Sequence, residues 1–378
     1  MKPIVPPAWL GVLGGGQLGR FFVIAARQMG YRVAVLDPEA KSPAGAIADR
    51  HFAASYEDAA ALDELGALCA AVTTEFENVP AAALSRLAAR TAVAPSADCV
   101  AVAQDRIAEK AALARIGLPV GPYRPVRTEA DLADASLYPA ILKTSRLGYD
   151  GKGQAAVDEA APAREAWRRF GGVPCVLEKR LALDLEVSVI VARGAGGEVR
   201  SFAVAENRHR NGILDVSVAP ARVPSALAEE ARGMAARLAQ ALGYVGVMGV
   251  EFFVVGGGLH VNEIAPRPHN SGHYTLDACV TSQYEQQVRA MCGLPLGDER
   301  LLSAAVMVNV LGDAWRTGEP AWEAVLGEPR AKLHLYGKDA ARPGRKMGHF
   351  TVLDSRVEAA LEAALALRAR LGGDGVAG

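Results

Sequence analysis

None of the five cysteines, Cys69, Cys99, Cys175, Cys279 and Cys292, stands in a C-x-x-C spacing. That excludes a structural zinc ribbon or a dithiol redox pair and leaves small buried residues of a reducing compartment. Charge of one sign is missing too. The 41 basic and 42 acidic residues leave a formal net charge of −1, so the chain offers no general attraction to nucleic acid or to an anionic membrane. No stretch approaches the roughly 18 uninterrupted apolar residues of a membrane helix. The opening MKPIVPPAWL carries prolines where a secretory signal carries its apolar segment. No internal repeat is found. These absences predict a cytoplasmic protein with no nucleic-acid or membrane partner, whose charged ligands are recognised locally.

With 378 residues, 51% of them apolar, the chain is too long for one compact core and predicts two or three domains. The most informative stretch is EFFVVGGGLHVNEIAPRPHNSGH, residues 251–273. Alternating apolar residues on either side of three glycines predict a hairpin. With the turn centred on Gly257, Val255 faces Leu259, Phe253 faces Val261 and Glu251 faces Glu263 on one side of the pleat. Two opposed carboxylates repel, and a hard divalent cation between them gives the pairing a physical reason; the alternative is an exposed sheet face with no chemistry. Arg267, His269, Asn270 and His273 follow directly, in a segment that Pro266 and Pro268 keep out of a helix.

Near the start, an apolar strand at 10–13 runs into GGGQLG, residues 14–19, then a helical pattern and a second strand ending at Asp37. This βαβ start carries the G-x-G-x-x-G fingerprint of dinucleotide sites, so a nicotinamide-dependent dehydrogenase is a rival reading. A further strand at 70–74 ends in Glu75 and Glu77, where ligands of open α/β sheets gather; a helix-capping acidic loop is the alternative. Strand 138–144 carries Lys143 and leads into SRLGYDGKGQ, residues 145–154, whose glycines and basic residues suit a mobile phosphate-covering loop. The Walker order G-x-x-x-x-G-K-[ST] is absent there. Later strands are predicted at 186–192 and 199–205, helices at 225–242 and 357–371. Around Pro343-Gly344, Lys338, Arg342, Arg345 and Lys346 form a basic turn that fits a phosphate monoester or, equally, solvent.

Taken together, GGGQLGR, TEFENV, LGYDGKGQ, ENRHRNGIL, NEIAPRPHNSGH and RPGRKMGH, in this order from Gly14 to His349, resemble the ATP-grasp superfamily and, within it, the N5-carboxyaminoimidazole ribonucleotide synthetase family. The resemblance implies an α/β and α+β ATP-grasp fold. Its N-terminal Rossmann-like domain covers 1–104, its ATP-grasp domain 105–296 with a lid at about 120–183, and a small C-terminal domain 297–378. It implies ATP, bicarbonate and 5-aminoimidazole ribonucleotide as substrates, Mg²⁺ (or Mn²⁺) on Glu251 and Glu263, and a homodimer. ATP is expected to meet Arg106, Lys143, the Gly148, Tyr149, Asp150, Gly151, Lys152, Gly153 and Gln154 loop, Glu178, the Lys179, Arg180 and Leu181 backbone, Glu186, His209, Asn262 and Glu263. Gln17, Leu18 and Glu75 are expected to hold the ribonucleotide, with Lys338, Arg345 and Lys346 on its phosphate. Asp150, Arg267, His269 and His273 are the catalytic candidates. Ala265 departs from the superfamily, many of whose members carry a third, asparagine metal ligand there.

Overall fold

The computed structural model of the chain describes residues 2–148 and 153–372. Tyr149, Asp150, Gly151 and Lys152 therefore lie outside the described residues. Three sheets organise the rest.

The first is a five-stranded parallel sheet in the order Arg50–Phe52, Arg32–Leu36, Trp9–Leu13, Ala71–Thr74, Ala92–Val93. Its strands are apolar almost throughout because helices cover both faces. The chain winds away in both directions from Trp9–Leu13, so the carboxyl ends of that strand and of Ala71–Thr74 open a crevice containing the glycine turn and Glu75.

A four-stranded antiparallel sheet is built from residues 123–179, in the order Tyr123–Val126, Cys175–Lys179, Ala140–Thr144, Gln154–Val157. The third sheet is the platform of the site. It has nine strands, running from Gly258–Ala265 through Gly246–Val255, Leu185–Arg193, Ala205–Arg210, Ile213–Ala219, Ala304–Leu311 and Lys346–Asp354 to Ala331–Leu335, with Val199–Ser201 paired beside Leu185–Arg193. Its side chains alternate. Val187, Val189, Val191, Met248, Val250 and Phe252 pack under helix Ser225–Ala241, and Val216, Val306, Val308 and Phe350 lie in one apolar cluster with helix Val357–Arg370. Glu186, Ser188, Asn207, Ser217, Glu251 and Glu263 share the opposite face, as the period of two requires.

Two sequence expectations change here. The segment expected as one strand over 199–205 is two: Val199–Ser201 stops, and a new strand, Ala205–Arg210, carries Asn207 and His209 on the sheet itself. The basic segment ending in RKMGH turns at Pro343-Gly344 but then becomes strand Lys346–Asp354, which completes the platform beside Ala304–Leu311. The strands Ala304–Leu311, Ala331–Leu335 and Lys346–Asp354 thus extend the large sheet.

Candidate active site

The hairpin closes through a two-residue turn in which Gly256 and Gly257 have φ of 56° and 77°. Both values lie where only glycine is comfortable, the requirement of a tight primed turn. Val255 therefore pairs with Gly258 and Phe252 with Val261, not with the partners that a turn centred on Gly257 predicts. Continued unchanged, this register would set Glu251 against Asn262. A bulge at Asn262 shifts it by one residue, and Glu251 faces Glu263 after all. Helix Arg106–Arg115 stabilises the bulge: Lys110 Nζ donates to the Asn262 carbonyl at 2.9 Å, and the Ile264 N–H donates to Glu109 Oε1 at 2.6 Å.

The two acids sit in unlike surroundings. Arg106 Nη2 lies 2.9 Å from Glu263 Oε2. Burial alone would raise Glu263, but Arg106 and then Lys143 outweigh it and hold the carboxyl well below the usual range. Glu251 has no such partner; burial, then the charge of Glu263, pushes it up to about 7. Asn262 Nδ2 reaches Glu251 at 3.5 Å, while its Oδ1 is buried with no hydrogen-bond partner among the described residues. An all-oxygen donor set with one carboxyl driven toward protonation and an orphaned amide oxygen fits a hard divalent cation. Beside it, Glu186, His209 and Glu251 bring one ligand atom each within 4.8 Å of one another. His209 Nδ1 stands 3.1 Å from Glu186 Oε2; burial lowers its pKa, and Glu186 more than reverses that.

Behind the bulge, Lys143 Nζ donates to Glu178 Oε2 at 2.9 Å and Lys110 Nζ lies 3.7 Å from Oε1. Burial raises Glu178, and Lys143 followed by Lys110 brings it below its ordinary value. Lys110 and Glu109 were not expected as site residues, although Arg106, Glu109 and Lys110 at i, i+3 and i+4 mark one helix face. The N–H groups of Lys179 and Arg180 already donate to Pro122 and Pro139 carbonyls, at 2.9 and 2.8 Å. The side chains of that pair turn to Ser136 and Asp158. Leu181 N–H thus remains the backbone donor of the trio, with no acceptor among the described residues. Gly153 caps the end of Ala140–Thr144 through its carbonyl, and Gln154 pairs with Lys143.

A cleft between the N-terminal sheet and the platform is lined by Glu77, Arg106, Ser145, Gly148, Glu263, Arg267 and His269, among others. Arg267 Nε donates to Glu77 across it, and burial notwithstanding, this ion pair keeps Glu77 below its ordinary value. His273 is placed elsewhere. It has no exposed surface, its Nδ1 bonds Tyr284 at 2.8 Å, and its ring stacks on His349 at 4.4 Å with Phe21 against both. Of the four catalytic candidates, Arg267 and His269 line the cleft, His273 does not, and Asp150 lies outside the described residues.

The glycine turn holds the chain's own acids. Asp37 Oδ2 accepts the Gly15 N–H at 2.7 Å, and the Glu75 carboxylate accepts those of Gly16 and Gly19, each at 2.9 Å. Helix Gln17–Gln28, with Gln17 and Leu18 in its first turn, thus already has an anion at its positive end, where a dinucleotide would set its pyrophosphate. Burial raises Glu75 to about 7 against the pull of the two N–H groups. Lys338 sits close enough to feel Glu75; burial, then Arg345, lowers its pKa to about 8. Its Nζ donates to the Lys346 carbonyl at 2.8 Å and lies 5.5 Å from the Tyr336 ring centre. Arg345 Nη1 donates to Ala340 O at 3.0 Å, and Gly312 N–H fixes the Arg345 carbonyl. Tyr336, just before the basic turn, packs in one apolar cluster with Leu18 and Phe21 of the helix that follows the glycine turn, which sets the two turns side by side.

Comparison with known proteins agrees with this architecture. Residues 8–104 match the ribonucleotide synthetase preATP-grasp domain, 111–284 the ATP-grasp domain, and 305–363 the phosphoribosylaminoimidazole carboxylase C-terminal domain. N5-carboxyaminoimidazole ribonucleotide synthase of Bacillus subtilis (strain 168) is 44% identical over 354 residues, covering 93% of this chain and 92% of that protein. A solved ADP complex of N5-carboxyaminoimidazole ribonucleotide synthetase superposes with a TM-score of 0.91 at 44% identity, covering 97% and 98% of the two chains. N5-carboxyaminoimidazole synthase from Aspergillus clavatus, solved with ADP and 5-aminoimidazole ribonucleotide, superposes with a TM-score of 0.88 at 32% identity over the same shares. With an ATP-grasp platform, a preATP-grasp sheet whose glycine turn is closed by Glu75, and the matching C-terminal domain on one chain, the protein belongs to the N5-carboxyaminoimidazole ribonucleotide synthetase family of ATP-grasp enzymes.

Proposed function

We propose that the protein carboxylates the 5-amino group of 5-aminoimidazole ribonucleotide, using ATP and bicarbonate and releasing ADP and phosphate, as a step of purine biosynthesis. The observation that supports this reading is the placing of the basic turn, Lys338 to Lys346, beside the glycine turn, on the same chain as the paired acids Glu251 and Glu263 of the platform. Arg106 and Lys143 are assigned to the ATP phosphates, the Leu181 N–H with Glu178 to the adenine side, and Glu186 with His209 to the ribose side. Lys338, Arg345 and Lys346 take the 5′-phosphate, and Gln17, Leu18 and Glu75 face the imidazole. Glu251 and Glu263, with Asn262 beside them, would hold Mg²⁺, or Mn²⁺ in its place. When bound, the ion neutralises phosphate charge during phosphoryl transfer.

Bicarbonate is a poor electrophile, and activation by ATP is what makes it reactive. Its oxygen attacks the γ-phosphoryl group, ADP leaves, and carboxyphosphate results; Arg267 and Arg106 spread the charge that develops. Arg267 is held by Glu77, so it meets the reacting group already oriented. Carboxyphosphate then breaks down to CO₂ and phosphate beside the bound amine, where proximity replaces a high CO₂ concentration. The loop around Gly148 to Gln154 is assigned to exclude water, because carboxyphosphate hydrolyses. Asp150 and His269 are kept as the candidates to orient the amine or move its proton. Fully enclosed, His273 is given no proton to move. Five unpaired cysteines support a reducing, cytoplasmic setting, and no helix among the described residues is long and apolar enough to cross a membrane. A homodimer, carried over from the resemblance, is tested by light scattering.

The deciding assay is ADP release from Mg-ATP and bicarbonate, with and without the ribonucleotide, beside a Glu263→Ala control. Release stimulated by the ribonucleotide and lost in the control supports the whole reading. Release indifferent to the ribonucleotide keeps the ATP site and overturns the acceptor, and no release at all overturns the activity.

A further inference from the structure

Helix Gln283–Met291 lies between the N-terminal sheet and the platform, and both pack on it. Tyr284, Val288 and Met291 join Leu10, Val12 and Phe21 in one apolar cluster, while Ala290 packs with Ile190, Val247 and Met307 of the platform. A helix buried on two sides is expected to be apolar on both. Gln283, Gln286 and Gln287 break that rule, and none is more than 1% exposed. A buried amide is tolerated only where hydrogen bonds replace its water, and all three are bonded. Gln283 holds the backbone of His269 and Gln286 that of Gly297, each as donor and as acceptor. Those bonds stay within segments that flank the platform.

Gln287 reaches both sheets. Its Nε2 donates to Thr73 Oγ1 at 2.8 Å and to the Ala94 carbonyl at 3.2 Å, and its Oε1 accepts the Val247 N–H at 2.6 Å. Both amide protons are thereby used. The backbone is shaped to admit the amide: Gly246 has φ 123°, and a Cβ there would stand 2.8 Å from Gln287 Oε1. Thr73 stands two residues ahead of Glu75, and Val247 four ahead of Glu251 in strand Gly246–Val255. One amide thus sets the end of the N-terminal sheet against the strand that carries the first of the paired acids. Apolar packing is non-directional and would let the two slide; these bonds specify one position.

Resting on the function proposed above, we propose that Gln287 is a positioning residue that holds the acceptor amine, seated on the N-terminal sheet, in register with carboxyphosphate formed on the platform. Carboxyphosphate has two fates. In one, phosphate leaves, the amine nitrogen bonds the carbon of the CO₂ released, and the amine gives up a proton. In the other, water takes the place of the amine and returns bicarbonate and phosphate, so that ATP is consumed with no carboxylation. Placement decides between them, since a misplacement of about 1 Å costs on the order of 100-fold. On the cleft side Arg267 and Glu77 also join the two parts, so loss of the Gln287 amide loosens the joint without parting it.

Gln287→Met keeps the length of the side chain and removes its amide, and Thr73→Val removes one acceptor from the opposite sheet without touching the helix. The quantity to measure is carboxylated ribonucleotide formed per ADP released, with ¹³C-bicarbonate as substrate and ¹³C NMR following the N-carboxylate during turnover. We expect the unmodified protein to form one product for each ADP, and Gln287→Met to form about 10-fold less per ADP, while its KM for Mg-ATP stays within about twofold. Thr73→Val should shift the ratio in the same direction, and the double variant should be no worse than Gln287→Met. A ratio unchanged in both single variants, or a loss of ADP release that product formation merely follows, overturns the proposal. Should Gln287→Met fold poorly, Thr73→Val decides. A second measurement needs no activity. All five native cysteines are buried, so nitroxide labels at the exposed positions of Glu57→Cys and Glu230→Cys report the separation of the N-terminal sheet from the platform. Pulsed electron paramagnetic resonance should give a narrow distance distribution in the unmodified protein and a broader one with Gln287→Met; equal widths overturn the proposal. If the unmodified protein carboxylates no ribonucleotide, the proposed function fails and the label distances still decide what Gln287 holds.

Discussion

Gly16→Ala probes what the glycine turn is for. Gly16 has φ −72° and ψ −164°, values that alanine adopts freely, so any cost is steric. A Cβ there would lie 2.7 Å from Glu75 Oε1 and 3.1 Å from Oε2. To reach ordinary contact the carboxylate must retreat by roughly 0.7 Å, which breaks or stretches its bonds to the Gly16 and Gly19 N–H groups. Bonds to a charged acceptor contribute about 1.5–3 kcal/mol each. Glu75 can lessen the loss by taking a proton, since burial already raises its pKa to about 7. We therefore expect Gly16→Ala to cost about 2–3 kcal/mol. With Glu75→Ala in place the obstacle is gone, and Gly→Ala at a compatible φ and ψ stabilises by about 0.4–1 kcal/mol through the unfolded chain. The double-mutant cycle should give a coupling of at least about 2 kcal/mol. Hydrogen exchange of the Leu10–Leu13 amides reads it within the N-terminal sheet alone, so unfolding of other parts does not intrude. A cost for Gly16→Ala equal in both backgrounds to within about 0.5 kcal/mol would refute the reasoning. It would also return the turn to the dinucleotide reading, in which the glycine makes room for a pyrophosphate and not for Glu75.

Three further outcomes are expected. Lys338 has a folded-state pKa near 8, below the ordinary lysine value of 10.5, so between those values the unfolded chain holds a proton that the folded chain has lost, and this residue's contribution to stability rises with pH there. A bound phosphate restores the proton. Affinity for the ribonucleotide should therefore fall about tenfold per pH unit above pH 8, with proton uptake detected by calorimetry in two buffers; affinity constant from pH 7 to 9 would contradict it. Arg267→Lys keeps the charge and loses the planar fork that meets Glu77 and the Pro268 carbonyl, and kcat/KM for bicarbonate should drop on the order of 100-fold. A change within twofold would sink that role. Mg-ATP at about 100 times its Kd should stabilise the protein by about 2.7 kcal/mol, an effect lost with EDTA or in Glu251→Gln; a thermal shift unchanged by either would remove the cation from the paired acids.

Sequence made the elements of the site legible where a short-range rule produces them. The strands at 71–74 and 140–144 and the hairpin all follow from periodicity and turn chemistry. What escaped was whatever depends on distant partners. Strand Lys346–Asp354 begins in a run of cations that reads as a phosphate-binding or a solvated turn, and only pairing with Ala304–Leu311 makes it a strand. Lys110 and Glu109 look like ordinary helix-surface charges until the bulge at Asn262 supplies a carbonyl and an N–H for them, 152 and 155 residues away along the chain. Ser217, Asn207, Ser188 and Ser271 form one buried hydrogen-bonded chain from four separate segments, and no local pattern joins them.

The paired acids show how the two levels interact. Turn chemistry with Gly256-Gly257 dictates a register that sets Glu251 against Asn262, and the expected pair survives because one extra residue is accommodated downstream. That accommodation leaves unpaired backbone groups in a buried sheet, which would each cost about 1–3 kcal/mol unless satisfied. Helix Arg106–Arg115 satisfies them and, from the same face, delivers Arg106 to Glu263. The residue that separates the ionisation of the two acids and the residues that stabilise the bulge thus arrive on one helix. Disrupting Lys110 or Glu109 is therefore expected to disturb the electrostatics of the cleft as well as the hairpin, although neither side chain touches Glu251. A Glu109→Gln variant tests the link. It keeps an acceptor for the Ile264 N–H while removing a buried charge that burial already raises to about 7, so the hairpin should stay intact in its amide exchange while the Mg-ATP thermal shift changes. An unchanged thermal shift alongside an intact hairpin would separate the two roles.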